Sequence, residues 1–290
     1  MSRISIGLPV FNGEKFLEKR IKNILEQKFT DFELIISNNG SIDCSDQICR
    51  FFAEQDKRII YFNQNNNQGA IWNFNFVLNK AKSEYFVWAG VDDIWNEDFI
   101  SETLNFLEHN NEFVGCISNV ESYDSDPEIK STNLKIFQIF KKIRVGKYGV
   151  EDAIGKYEKK IKIYLKRNSA QAIYGVYKTD AIRKSFINQS FLGVDLAIIL
   201  NILKFGDFHV IEKNLIKFYM KGFSSQGIRA STRKLGHSLF GKIFPYYPFT
   251  KWFFQKFGYI IFIKNFTHFI KLNLVGELAI IYDIFLSNRN

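Results

Sequence analysis

Cysteine is scarce in this 290-residue chain. Cys44, Cys49 and Cys116 are an odd number, with no C-x-x-C spacing and no histidine placed to complete a tetrahedral site. Disulfide frameworks and structural zinc are therefore not expected, and the compartment reads as reducing. The four histidines, His109, His209, His237 and His268, share no spacing and read as structural or surface residues. Long apolar runs are lacking too. Near the C-terminus the longest charge-free one, Phe257 to Ile263, falls far short of the ~20 residues that span a bilayer. Met1 to Val10, broken by Gly7 and Pro9, is too short for a signal-peptide core and reads as a first strand. There is no obvious internal repeat and no low-complexity tract.

What is abundant is apolar and aromatic. Hydrophobic residues make up 46% and aromatics 17%, with 31 Phe, which excludes a disordered or fibrous chain. The length suits one large α/β domain, or a domain of about 200 residues with an appendage. The net charge of +9 is unevenly spread. Residues 1–140 hold 13 Lys+Arg against 21 Asp+Glu, and residues 141–290 hold 26 against 9. A basic second half calls for an anionic partner, either nucleic acid or a lipid surface.

Periodicity organises the first half. Ile4–Val10 is a β-branched run, Asn12-Gly13 a turn, and Phe16, Leu17, Ile21, Ile24 and Leu25 recur at helical spacing. The pattern repeats with a strand at Phe32–Ser37, a turn at 39–41, a helix carrying Ile48, Phe51 and Phe52, and a strand at Ile59–Phe62. A helix over 69–81 and a buried strand over Glu84–Val91 follow. Alternating strands and helices predict a parallel sheet covered on both faces, whose strand C-termini open onto one edge. The turns at 11–14, 37–41 and 91–95 are expected to meet there. Further on, the spacing predicts a helix over 97–110, a strand over 113–122, an insertion over 124–168 with a candidate helix at 150–165, a strand over Ala170–Tyr177, helices over Asp180–Phe186 and Val194–Phe205, and an extended segment over Phe208–Met220.

Asp92-Asp93 closes the buried strand Tyr85-Phe-Val-Trp-Ala-Gly-Val. Two adjacent carboxylates at an apolar strand mouth repel each other and lose hydration, so a positive partner is expected, and a hard divalent cation with phosphate oxygens would serve. On the pair alone, a solvated turn before the next helix serves as well. The pair keeps company with Pro9-Val10-Phe11-Asn12-Gly13-Glu14, Ser37-Asn38-Asn39-Gly40-Ser41 and Asn67-Gln68-Gly69. In that order and spacing these segments resemble glycosyltransferase family 2, closely over the first 120 residues and loosely to about residue 227. The resemblance implies a GT-A fold, a Rossmann-like mixed, mostly parallel sheet flanked by helices. It divides the chain into a nucleotide-binding half (1–120), an acceptor half (121–227) and a helical aromatic and basic appendage (228–290).

The resemblance also implies roles. Pro9, Phe11 and Glu14 would line the nucleoside pocket, Asn38 and Asn39 would stand where the family usually has two aspartates facing base and ribose, and Asn67 and Gly69 would let the backbone approach the nucleotide. Asn in place of Asp weakens the case for uridine, because an amide donates as well as accepts. Asp92 would face ribose or diphosphate, and Asp93 would hold Mn²⁺ or Mg²⁺ against the leaving diphosphate. The first of the family's three acidic metal positions is Val91 here. Asp195, in Gly193-Val194-Asp195, would be the base that deprotonates an acceptor hydroxyl with inversion. Without the resemblance it reads as a carboxylate favoured by a helix N-terminus. Tyr174 and Gly175, with Asn168 nearby, would lie on the acceptor side, or simply form a core strand. Lys221, Ser224 and Ser225 fall where relatives close a loop over the diphosphate.

From 235 to 274 lysines and aromatics interleave. They suit helices lying in a lipid interface, with Trp252, Tyr246, Tyr247 and Tyr259 at its boundary, or helices that pack on the domain or on a second copy in a homodimer. The expected enzyme is a cytoplasmic transferase, able to sit peripherally on the inner face of a membrane, that takes a sugar from a nucleotide-diphospho-sugar, UDP favoured, to a saccharide or lipid-linked acceptor. The rivals are a degenerate nucleotide-sugar binder, a basic nucleic-acid binder without a recognisable motif, and a nucleotidyltransferase, which would carry a Gly-rich, Arg-containing loop where Pro9–Glu14 stands.

Overall fold

The computed structural model describes residues 2–123, 150–167, 170–219 and 243–287. The expectations placed on Asn168, Lys221, Ser224 and Ser225 lie outside the described residues. Eight strands form one mixed sheet: β1 Ile4–Val10, β2 Phe32–Asn38, β3 Ile59–Asn63, β4 Tyr85–Trp88, β5 Ile94–Trp95, β6 Phe113–Tyr123, β7 Val176–Lys178 and β8 Asp207–Tyr219. Their order is β3-β2-β1-β4-β7-β6-β8-β5. The run β3-β2-β1-β4 is parallel, β7 is antiparallel to both neighbours, and β6 pairs with β8 in parallel.

The first half is wound as its pattern predicts. Helix α1 (Glu14–Leu25) buries Leu17, Ile21 and Ile24, and α2 (Ser45–Gln55) and α3 (Ala70–Lys80) follow β2 and β3. Every residue of β1 and β4 except Pro9 is buried, as befits strands covered on both faces. The order of strand addition reverses at β1, from which β2 and β3 extend to one side and β4 to the other. Open α/β sheets bind ligands beyond the strand C-termini at such a switch.

Helices α4 (Phe99–His109), α5 (Tyr157–Arg167), α6 (Thr179–Ser185) and α7 (Val194–Ile202) complete the sheet's cover. Helix α7 is buried nearly all round, which marks a central helix rather than a surface one. Two long C-terminal helices, α8 (Tyr247–Lys264) and α9 (Phe266–Ser287), pack on this body through Phe249, Phe253 and Phe269.

One expectation is corrected. Ala170–Tyr177 is not a strand: Ala170–Tyr174 is a 3₁₀ turn and only Val176–Lys178 joins the sheet. The Gly175 N–H closes on the Ala172 carbonyl at 2.9 Å, and the buried Tyr177 hydroxyl donates to the same oxygen at 2.6 Å. The apolar run is a buried turn, because burial and extension leave the same mark on a short segment.

Candidate active site

The loops after β1, β2 and β4 meet, as expected. The Asn12 N–H donates to Ser41 Oγ (2.8 Å), the Gly13 N–H to Ser45 Oγ (2.9 Å) and the Glu14 N–H to Asp43 Oδ2 (3.0 Å), while Glu14 Oε2 accepts the Cys44 N–H (2.9 Å). A Cβ on Gly13 would sit 3.0 Å from Val91, so the β4 loop closes on the same spot. Buried Asn73 donates to the carbonyls of Val10 and Ser37 and ties the ends of β1 and β2 together. Pro9 is half-buried on β1 opposite Ser37, and Phe11, 48% exposed, stands at the rim.

Asn38 and Asn39 are buried below this rim. Asn39 Nδ2 donates to Asn67 Oδ1 (3.0 Å) and to the Gly69 carbonyl (3.1 Å), while its Oδ1 accepts the Gln68 N–H (3.0 Å). These partners fix which way the amide points, since a backbone N–H must face oxygen and a carbonyl must face nitrogen. Asn38 does likewise between Asn63 Oδ1 (2.9 Å) and the Ser41 N–H (3.3 Å). A Cβ on Gly40 would strike the backbone at Asn66 and Asn67, whereas one on Gly69, whose φ is 90°, would meet nothing within 4 Å. Conformation selects glycine at 69, and the space above it is open to a ligand. The two amides therefore build the 64–69 loop. Asn39→Asp would set a carboxylate against two acceptors and is expected to lower unfolding free energy by about 1–3 kcal/mol. An unchanged denaturation midpoint would mean that this amide does not hold the loop.

Asp93 is 7% exposed and Asp92 half-buried. Desolvation lifts the Asp93 carboxyl to about 7, with Asp92 adding to the rise, while Arg20 and the Tyr219 N–H oppose it. Asp92 is also raised, first by burial. A Cβ on Gly90 would collide with the Asp93 carboxylate, so glycine there lets the side chain fold back under the strand. Strand β5 pairs antiparallel with β8 through Ile94–Lys217 and Trp95–Ile216 and fixes the chain just beyond the pair. The Tyr123 hydroxyl donates to the Asp92 carbonyl at 2.7 Å.

Arg20 is the residue that sequence reasoning missed. It is 1% exposed on α1, its guanidinium lies 4.1 Å from the Trp95 ring centroid, Nη1 donates to Asn23 Oδ1 (2.8 Å), and Nε and Nη2 have no hydrogen-bond partner. The charges of Asp93 and Asp92 act on it, while burial lowers it to about 10. The signal was a cation on the inward stripe Leu17, Arg20, Ile21, Ile24. A charge at a core position of an amphipathic helix needs a buried counter-charge.

Tyr174 is within reach of the charge of both acidic groups. Desolvation, then the charges of Asp93, Asp195 and Asp92 in that order, push its hydroxyl far above its ordinary value. Asp195 sits in the first turn of α7, where Gly193 takes a φ of 90° at the N-cap. Its side chain reaches solvent, yet protein crowds it and that desolvation raises its carboxyl to about 6. Gly175 is buried, and a Cβ there would press within 3.1 Å of the Cys116 and Ala172 carbonyls, so its backbone runs against β6.

The family model described as glycosyl transferase family 2 matches residues 5–164, more than half of the chain. The chain belongs to this family. It is 35% identical to glycosyltransferase GlyG of Streptococcus pneumoniae over 121 residues, which is 42% of the chain and 40% of that protein. It is 38% identical over 94 residues to a GalNAc(5)-diNAcBac-PP-undecaprenol beta-1,3-glucosyltransferase of Campylobacter jejuni, covering 32% of the chain and 30% of that protein. These alignments span less than half the length of either relative.

Among solved structures, S. aureus TarS 1-349 in complex with UDP-GlcNAc overlays with a TM-score of 0.56 at 14% identity, covering 91% of the chain and 75% of the TarS 1-349 chain. The mannosyltransferase PcManGT of Pyrobaculum calidifontis, in complex with GDP-Man and Mn²⁺, overlays at 0.60 and 11% identity, covering 99% and 75%. At these identities the likeness establishes the fold, which is the expected mixed sheet flanked by helices.

The donor set bears on a cation. Among the described residues, no three His, Cys, Asp or Glu side chains are grouped as a metal cage. The two hard carboxylates at the β4 mouth, both short of hydration and only partly offset by Arg20, fit a cation that takes its remaining ligands from phosphate oxygens and water. Asp93 and Asp92 would hold it.

Proposed function

We propose that this family 2 chain transfers a sugar from a nucleotide-diphospho-sugar, UDP favoured, to an acceptor hydroxyl in glycan, polysaccharide or lipid-linked saccharide synthesis at the cytoplasmic face of a membrane. The observation that carries the reading is that the loops after β1, β2 and β4 converge on one spot, where buried Asp93 stands next to Asp92. Asp195 takes the proton of the acceptor hydroxyl, that oxygen bonds to the anomeric carbon from the face opposite the diphosphate, and the bond to the diphosphate oxygen breaks with inversion. A base in the range of 6 is ionised at neutral pH and still basic enough to accept the proton.

Phe11 at the rim and the open space over Gly69 flank the nucleoside position, with Pro9 and Glu14 holding the rim's backbone. Tyr174 and Gly175 belong to the acceptor side in this reading. A bound Mn²⁺ or Mg²⁺ would supply positive charge beside the departing diphosphate. The complexes of TarS with UDP-GlcNAc and of PcManGT with GDP-Man and Mn²⁺ support a donor of this class on this fold. The undecaprenol-linked saccharide in the name of the Campylobacter relative supports an acceptor of that class.

Calorimetric titration of UDP, GDP, TDP, ADP and CDP, with and without Mn²⁺ or Mg²⁺, tests the donor site. Metal-dependent binding of UDP is expected, followed by product from a UDP-sugar. Absence of binding to any of the five would sink the reading. Binding with no turnover would leave a degenerate nucleotide-sugar binder, to which the closed Asn38–Asn39 network lends some weight.

A further inference from the structure

Helices α8 and α9 use two faces. The inner face carries Phe249, Phe253 and Phe269, all buried, and Phe249 comes within 3.4 Å of where a Cβ on Gly193 would lie. On α9 the outer face is a stripe: Phe266, Ile270, Leu274, Leu278 and Ile281 are spaced four, four, four and three residues apart, and each is 44–53% exposed. On α8, Gly258 breaks the helix with a φ of 75°, and just beyond the break Tyr259 and Ile260 are 68% and 70% exposed. A solvent face this apolar over several turns is an interaction surface rather than scattered exposure.

Charge decides among its partners. From Ile243 to Gly276 the chain has four lysines, Lys251, Lys256, Lys264 and Lys271, and no acidic residue, and the sequence of the rest of α9 adds Glu277 and Asp283. Lys264 holds Glu158 at 2.9 Å, and Lys251, Lys256 and Lys271 are exposed. A second copy seated face to face would set lysines against lysines, whereas an anionic lipid surface complements them. Among the described residues no helix is long and apolar enough to cross a membrane. The remaining geometry is a pair of helices lying in the interface plane, apolar stripe down and lysines reaching the headgroups.

We propose that the outer face of α8 and α9 docks on an anionic bilayer, with the α9 stripe and Tyr259–Ile260 in the headgroup layer. The inner face packs beneath Gly193, so docking holds the helix that bears Asp195 at a fixed height over the membrane. The proposal does not depend on sugar transfer, and its test reads binding alone.

Co-sedimentation of the full chain with vesicles of equimolar phosphatidylglycerol and phosphatidylcholine, and with phosphatidylcholine alone, tests it. Salt-sensitive binding to the anionic vesicles is expected, with little to the neutral ones. Ile270→Asp with Leu274→Asp should weaken that binding at least about tenfold, and Lys251→Gln with Lys256→Gln should weaken it with the apolar stripe intact. Both changes are at exposed positions, so unfolding midpoints are expected to hold, and the lysine variant decides the matter if the aspartate variant unfolds. Wild-type protein left in the supernatant would overturn the proposal. So would a vesicle-insensitive dimer that Ile270→Asp with Leu274→Asp dissolves, which would assign the face to a second copy.

Discussion

Asp195→Asn is expected to lower the transfer rate by about 10²- to 10⁴-fold while leaving nucleotide diphosphate affinity unchanged. The amide keeps the shape and loses the proton acceptor. A carboxylate placed only to complement the helix dipole would behave otherwise: the variant would lose a few tenths to ~1 kcal/mol of stability and transfer at the wild-type rate. The pH profile separates the two further. Desolvation raises the Asp195 carboxyl to about 6, and only its ionised form can accept a proton. Activity of the wild-type protein should therefore rise with pH through about 6 and level above it. Residual activity of the variant should lack that limb.

The sign for stability is opposite. A carboxyl whose folded value is raised favours the folded state at low pH, and that contribution is lost as pH climbs from about 4 through about 6. The amide of the variant cannot ionise, so the variant should be no less stable than the parent at neutral pH. Helix α7 fits this reading. Val194, Leu196, Ala197, Ile198, Ile199, Leu200 and Ile202 are buried, and a solubilising charge has no place on such a helix.

The winding of β1 to β4 was legible because each strand is a short run rich in β-branched or aromatic residues, each helix carries an apolar stripe, and turn residues separate them. Asp92-Asp93 and Asp195 stood out as candidates for chemistry only through their company. What the sequence concealed is non-local. Strand β5 is two residues long and exists because β8, more than a hundred residues later, offers Lys217 and Ile216 as partners. Asn38 and Asn39 looked like ligand contacts, yet their amides are engaged with Asn63, Asn67, Gln68 and Gly69. The Asp pair called for positive charge that a cation alone was expected to supply, while α1 already brings Arg20 from beneath. Its position on the helix stripe was visible, but the Trp95 ring that covers it is supplied by the fold.

Asp93→Asn is expected to change the protein in two opposed directions. In the metal-free wild type, holding the Asp93 carboxylate ionised at a site that lifts it to about 7 corresponds to about 4 kcal/mol against its ordinary value. Its contribution to stability is complete at low pH and is lost as pH rises through about 7, so wild-type protein in chelator should weaken between about pH 4 and about pH 7. The Asn variant should be nearly flat over that range and the more stable of the two at the upper end. The gain is trimmed by Arg20, which keeps Asp92 but loses its stronger partner. Denaturant unfolding across that range reads the difference, and parallel decline of both proteins would overturn the assignment.

In the other direction, Mn²⁺-dependent binding of a nucleotide diphosphate should fall at least about tenfold, the usual scale for losing a charged contact. The two effects share one cause. A carboxylate short of hydration and only partly neutralised by Arg20 destabilises the empty protein. It also gains most when a cation binds, because binding to the folded ionised form restores the stability that ionisation removed.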